Sequence, residues 1–115
     1  MARDPAAEQG LPRLPASRSD MTKKTARKYR ISGRVQGVGY RFFAEHEANR
    51  LGLAGYVRNC GDGSVEAYVI GDPVSLEHFK RALASGPRSA RVTSVEESEE
   101  PVDKRYTSFV IEGGW

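Results

Sequence analysis

Two glycines one residue apart, Gly37 and Gly39, separate two periodicities, and that junction restricts the fold of this chain more than any other feature. Upstream, Tyr29, Ile31, Gly33 and Val35 alternate with Arg30, Ser32 and Arg34, the two-residue period of a strand. Downstream, Tyr40, Ala44, Ala48 and Leu51 recur at helical spacing, and Gly52 supplies a stop. A strand, a glycine turn and a helix start in that order leave several backbone N–H groups without intrachain partners and aim them at one point. Proteins cradle phosphate in this way without side chains. Arg41, in the helix's first turn, opposes the helix dipole unless an anion lies between them.

The remaining elements follow from their punctuation. The first strand is expected near Arg27–Val35 and the helix over Tyr40–Arg50. A second strand, Ala54–Cys60, and a third, Ser64–Ile70, flank Gly61-Asp62-Gly63, a strong hairpin signal. Val65, Ala67 and Val69 are expected to share the buried face of the third strand. Asp72 before Pro73 caps a second helix with Leu76, Phe79 and Leu83 on its buried stripe, ending at Ser85-Gly86-Pro87. Ala90–Glu97 reads as a fourth strand, Glu96–Lys104 as a solvated acidic loop and Thr107–Ile111 as a short last strand. The order is β-α-β-β-α-β plus one strand: an α+β, ferredoxin-like sandwich with a mostly antiparallel sheet and both helices on one face.

In the first β-α-β unit the two strands run parallel, so their ends emerge on one edge. The helix descends about 15 Å and the second strand climbs back about 20 Å. Asn59 therefore returns beside the Gln36–Arg41 turn. Amides of that turn suit phosphoryl oxygens, and Arg41 offers a planar, bidentate fork. Asn59 both accepts and donates, so it can orient a water but cannot act as a base. Such a site suits a substrate whose leaving group needs no protonation, as in a mixed carboxylic–phosphoric anhydride.

The segments Gly33-x-Val35-Gln36-Gly37-Val38-Gly39-Tyr40-Arg41, Leu51-Gly52-Leu53-x-Gly55-Tyr56-Val57-Arg58-Asn59 and Asp62-Gly63-Ser64-Val65-Glu66 together resemble the acylphosphatase family, over about residues 27–111. The resemblance implies hydrolysis of acyl phosphates to carboxylate and inorganic phosphate, with no metal and no organic cofactor. It implies Arg41 as the catalytic, phosphate-binding arginine, Asn59 as the water-orienting asparagine, and Gln36, Gly37, Val38, Gly39 and Tyr40, with Arg41, as the phosphate loop. Tyr40 stands where phenylalanine is common in the family, Tyr56 where tryptophan is common and Cys60 where threonine is frequent.

Charge and composition limit the alternatives. The 115 residues carry a net charge of +3. Residues 1–28 hold seven basic against three acidic side chains, leaving eleven against twelve in the rest. A near-neutral body with a basic leader makes a poor nucleic-acid footprint. An RNA-recognition module on the same topology needs aromatics stacked on its central strands, and Ser64-Val65-Glu66-Ala67-Tyr68 offers one tyrosine beside an acid. Dinucleotide binding fails because Phe42 occupies the third glycine position of G-x-G-x-x-G. A non-catalytic anion binder would keep the turn, but Arg41 and Asn59 are both present.

His46, His78 and Cys60 lack ligand spacing, so no metal site is expected. No apolar run approaches 18 residues, so no membrane partner is expected either. Residues 1–25, with Pro5, Pro12 and Pro15, read as a disordered extension before a domain spanning 26–115. The lone Cys60 suits the reducing cytoplasm. A monomer acting on a small-molecule acyl phosphate is the expectation.

Overall fold

The computed structural model describes residues 24–113. The expected N-terminal extension lies outside them up to residue 23, as do Gly114 and Trp115. The elements are β1 (Thr25–Arg34), α1 (Tyr40–Arg50), β2 (Ala54–Asn59), β3 (Val65–Gly71), α2 (Pro73–Ser85), β4 (Arg91–Glu100) and β5 (Phe109–Ile111). They form one five-stranded sheet in the order β4-β1-β3-β2-β5. β3 runs antiparallel to both β1 and β2, so β1 and β2 share a direction across it, as the β-α-β argument requires. β5 runs parallel to β2, pairing Gly55 with Phe109 and Val57 with Ile111. No helix among the described residues is long and apolar enough to cross a membrane.

The helices end where their sequences direct. Leu53 N–H donates to the Ala48 carbonyl and Gly52 N–H to that of Asn49, a Schellman pair that closes α1. Asp72 accepts from the Ser75 amide at 3.0 Å and caps α2, with Pro73 at its first position. Both helices press their apolar stripes, Tyr40, Ala44 and Ala48 from α1 and Leu76, Phe79 and Leu83 from α2, onto one face of the sheet. Leu51 is the C-cap and only partly buried. From the strands, Tyr29, Ile31, Val57, Val65, Ala67, Val69 and Phe109 complete that core.

Three expectations are corrected. β1 begins at Thr25, within the stretch read as extension. Val65, Ala67 and Val69 face the helix-side core as expected, and β3 is buried at its other positions from Val65 to Gly71 as well. Its far face is covered by a second cluster in which Tyr56 and Tyr68 stack at 5.5 Å and Tyr106 packs on both, at 5.7 and 5.8 Å. The loop carrying Tyr106 is pinned there: Tyr68 donates to the Pro101 carbonyl at 2.6 Å and accepts from the Asp103 amide at 2.8 Å. These rings pack on one another.

The second correction concerns the acidic run. Glu96, Glu97, Glu99 and Glu100 belong to β4, not to a loop, and pair with β1 in register, Glu96 opposite Arg30 and Glu99 opposite Arg27. Opposite charges across a strand pair stabilise what the residues' own β-propensity disfavours. Glu97 accepts from Arg27 at 2.9 Å and from Lys80 of α2 at 2.9 Å, fastening sheet to helix. The third is the last strand, Phe109–Ile111, which is shorter than the expected Thr107–Ile111.

Candidate active site

The end of β1 is redirected before it reaches the turn. Its pairing with β4 shifts register between Ser32 and Gly33, and a Cβ on Gly33 would stand 2.1 Å from the Arg91 carbonyl oxygen. Only glycine admits this approach. Gly37 and Gly39 then adopt φ of +73° and +80°, with open space where a Cβ would go. Backbone conformation, not crowding, demands glycine at these two positions. Gly39 is the N-cap of α1 and no side chain caps that helix, in contrast to α2. The first-turn amides of α1 are thereby left for an external anion.

Between this turn and the end of β2 lies a hollow of about 140 Å³, lined by Val35, Gly37, Gly39, Tyr40, Arg41, Phe42 and Asn59. Arg41 and Asn59, 18 positions apart in sequence, thus face one space. Asn59 is the last residue of β2 on the helix-side face, and its Oδ1 is buried. Its neighbour Arg58 points to the other face, where it pairs with Glu66 at 3.3 Å and lies 5.8 Å from the Tyr56 ring. The Arg41 Nη1 donates to the carbonyls of Glu112 and Gly113 at 3.3 and 3.0 Å, so the segment after β5 holds the guanidinium in place.

Two members of the predicted loop do not line the hollow. The Gln36 side chain turns away and its Nε2 donates to the carbonyls of Cys60 and Ser64, both at 2.8 Å. It ties the turn to the β2–β3 hairpin, and so to Asn59. Val38 is half-buried against the core, while its carbonyl accepts from the Ser89 hydroxyl at 2.7 Å. The hydroxyl of Tyr40 donates to the Leu83 carbonyl at 2.6 Å, and burial pushes its pKa upward. Both the bond and the burial favour the protonated hydroxyl. Phe42 was not anticipated on the wall: it fits neither the glycine motif nor the buried stripe.

The lining contains no carboxylate, histidine or lysine. The arrangement can bind a tetrahedral anion, hold a water and stabilise spreading negative charge, but offers no general base. His46 and His78 are exposed on the helices. Among the described residues no group of three or more His, Cys, Asp or Glu side chains could hold a metal. A larger cavity of about 630 Å³ lies on the opposite face of the sheet, beside Tyr56, Tyr68 and Tyr106, and contains neither Arg41 nor Asn59. Chemistry, not size, singles out the smaller hollow.

Known proteins with similar sequences and folds agree in kind. The family model described as Acylphosphatase matches residues 27–111. The chain is 44% identical over 104 residues to an acylphosphatase of Koribacter versatilis, covering 89% of this chain and 94% of that protein. It is 45% identical over 95 residues to one of Solibacter usitatus, covering 83% and 98%. The crystal structure of acylphosphatase from Bacillus subtilis superposes with a TM-score of 0.74 at 34% identity, covering 77% of this chain and 99% of that one.

Proposed function

The chain belongs to the acylphosphatase family and hydrolyses the carboxyl–phosphate bond of acyl phosphates, and from that premise we propose that Arg41 and Asn59 carry out the reaction in the hollow between α1 and β2. The single observation that supports this assignment is the convergence of Arg41, Asn59 and the Gly37–Gly39 turn on one space.

The phosphoryl group lies against the amides that open α1. With Nη1 engaged by the Glu112 and Gly113 carbonyls, Arg41 presents its Nε and Nη2 edge to two phosphoryl oxygens. Gly37, Gly39, Tyr40 and Arg41 contribute the turn to this loop, and Gln36 and Val38 hold it to its neighbours through the Cys60, Ser64 and Ser89 bonds. The Asn59 carboxamide orients a water in line with the P–O bond to the acyl group. Water oxygen bonds to phosphorus as that bond breaks, and the electron pair leaves on the carboxylate. With no base on the wall, the water's proton passes to a phosphoryl oxygen. A substrate dianion plus water becomes a carboxylate and dihydrogen phosphate, so charge balances without protein acid–base chemistry. Positioning and charge stabilisation lower the barrier.

All these groups come from one chain, so the reading is of a monomer. The single Cys60 accords with a cytoplasmic setting. The domain begins with β1 and contains every group the reaction uses. The test is a continuous benzoyl phosphate assay with inorganic phosphate as competitor. Arg41→Ala should lower kcat/KM by at least about a thousandfold and weaken phosphate inhibition. Unchanged kinetics in that variant would reject the assignment.

A further inference from the structure

We propose that Phe42 forms the wall against which the acyl half of the substrate packs, and that the enzyme therefore favours acyl phosphates with aromatic or bulky apolar acyl groups over small ones. This rests on the reading of the hollow as the phosphoryl site and adds its substrate class.

Phe42 is 70% exposed, more than any other large hydrophobic side chain among the described residues. Its location gives that exposure meaning, because single apolar residues on a surface need no explanation by themselves. The other exposed ones, Val74, Val102 and Val110, stand away from the hollow, whereas Phe42 lines it beside Arg41. As the third residue of α1, it carries a Cα–Cβ bond tilted toward the helix N-terminus, so the ring leans over the turn that binds phosphate. The next residue does the reverse: Phe43 turns inward and packs on Tyr40 with ring centroids 6.0 Å apart.

The hollow's size requires the acyl group to lie outside it. About 140 Å³ is small beside the roughly 300–1,000 Å³ of sites that enclose whole drug-sized ligands. In-line displacement fixes the direction of exit, since the leaving oxygen lies opposite the attacking water. Water is held at Asn59, whose Oδ1 is buried, and Phe42 is the one exposed side chain of the lining, so the acyl group is directed toward Phe42. A planar acyl group emerging there meets an aromatic ring that no other side-chain ring covers among the described contacts. An acetyl group is too short to cover that ring. Contact of this kind is present in the bound substrate as much as in the transition state, so it acts chiefly on KM.

The experiment measures kcat and KM for benzoyl phosphate and acetyl phosphate on the wild type, Phe42→Ala, Phe42→Tyr and Arg41→Ala, with the inhibition constant of inorganic phosphate for each. Comparing each variant with the wild type removes the intrinsic difference in reactivity between the two substrates. Phe42→Ala should lower the benzoyl-to-acetyl ratio of kcat/KM about tenfold, mainly through KM, with phosphate inhibition shifting less than about twofold. Phe42→Tyr keeps a ring there and should restore most of the ratio. Equal losses on both substrates, or an unchanged ratio, would overturn the acyl-wall assignment even with Arg41→Ala inactive. Full activity of Arg41→Ala would instead remove the phosphoryl site on which the proposal rests. Because Phe42 is exposed, its truncation leaves the packed core intact.

Discussion

Gln36 carries no charge, yet its carboxamide ties the two halves of the candidate site together. Both of its Nε2 bonds end on carbonyls of the β2–β3 hairpin, one residue past Asn59 and at Ser64. Gln36→Glu would set a carboxylate against those two carbonyls and should lower stability by about 2 kcal/mol, or roughly 10 °C in Tm for a domain of this size. Thermal unfolding measures it, and an unchanged Tm would show that the tie is not needed. Asn59→Ala should lower kcat by about a hundredfold with KM little changed, since the water that we propose it orients matters most in the transition state. Steady-state kinetics check this, and a loss confined to KM would make Asn59 a substrate-binding residue only. Arg41 and Asn59 were legible in sequence because motif and spacing both bring them to one end of the sheet. The errand of Gln36 was not, since nothing in the strand–turn–helix pattern says where its side chain turns. Phe42 escaped for a different reason: helical periodicity picks out residues that face the core and is silent about an apolar residue facing out.

At the level of elements, legibility followed chemistry that acts locally. The two helices matched because their ends are written in the chain, Gly52 for one and Asp72-Pro73 for the other, and the β2–β3 hairpin because Asp62-Gly63 marks its turn. β4 ran past its expected end because glutamates are poor strand formers alone and good ones opposite Arg27 and Arg30, a fact only the paired sheet contains. The place of β5 beside β2 depends on long-range pairing in the same way. The bulge at Gly33 lets β1 deliver the turn at its observed angle. Gly33→Ala would force a Cβ against the Arg91 carbonyl and should cost about 3 kcal/mol. Urea denaturation reads this, and a midpoint equal to wild type would mean that β4 yields freely. By contrast, Asp72→Ala removes only the cap of α2 and should cost about 1 kcal/mol while leaving hydrolysis unchanged.

Across the whole molecule, folding stability should follow pH from two directions. Lys80 and Arg27 hold the Glu97 carboxyl below its ordinary value, with burial opposing. Burial pushes the Glu66 carboxyl up, but the Tyr56 hydroxyl and Arg58 outweigh it, and the Ser75 amide lowers Asp72. A carboxyl depressed on folding adds stability above its unfolded pKa of 3.8 to 4.5 and loses it as pH falls through the folded value. On the alkaline side burial pushes Tyr29 from 10.0 up to about 12. That contribution is complete below pH 10 and disappears as pH rises through about 12. The urea midpoint should therefore fall below pH 4.5 and again above pH 10, and a flat acid limb would deny these contacts any part in folding. Chelation should leave the rate of hydrolysis unchanged, because each proposed role belongs to a side chain or an amide. The clasp on Arg41 has one more effect. Peptide oxygens are dipoles without net charge, so they immobilise the guanidinium while leaving its cationic character available to whatever ion arrives. If Arg41 has the role proposed for it, such a receptor responds alike to what it is about to cleave and to what it has just released, and accumulating orthophosphate should throttle the enzyme by occupying the same seat.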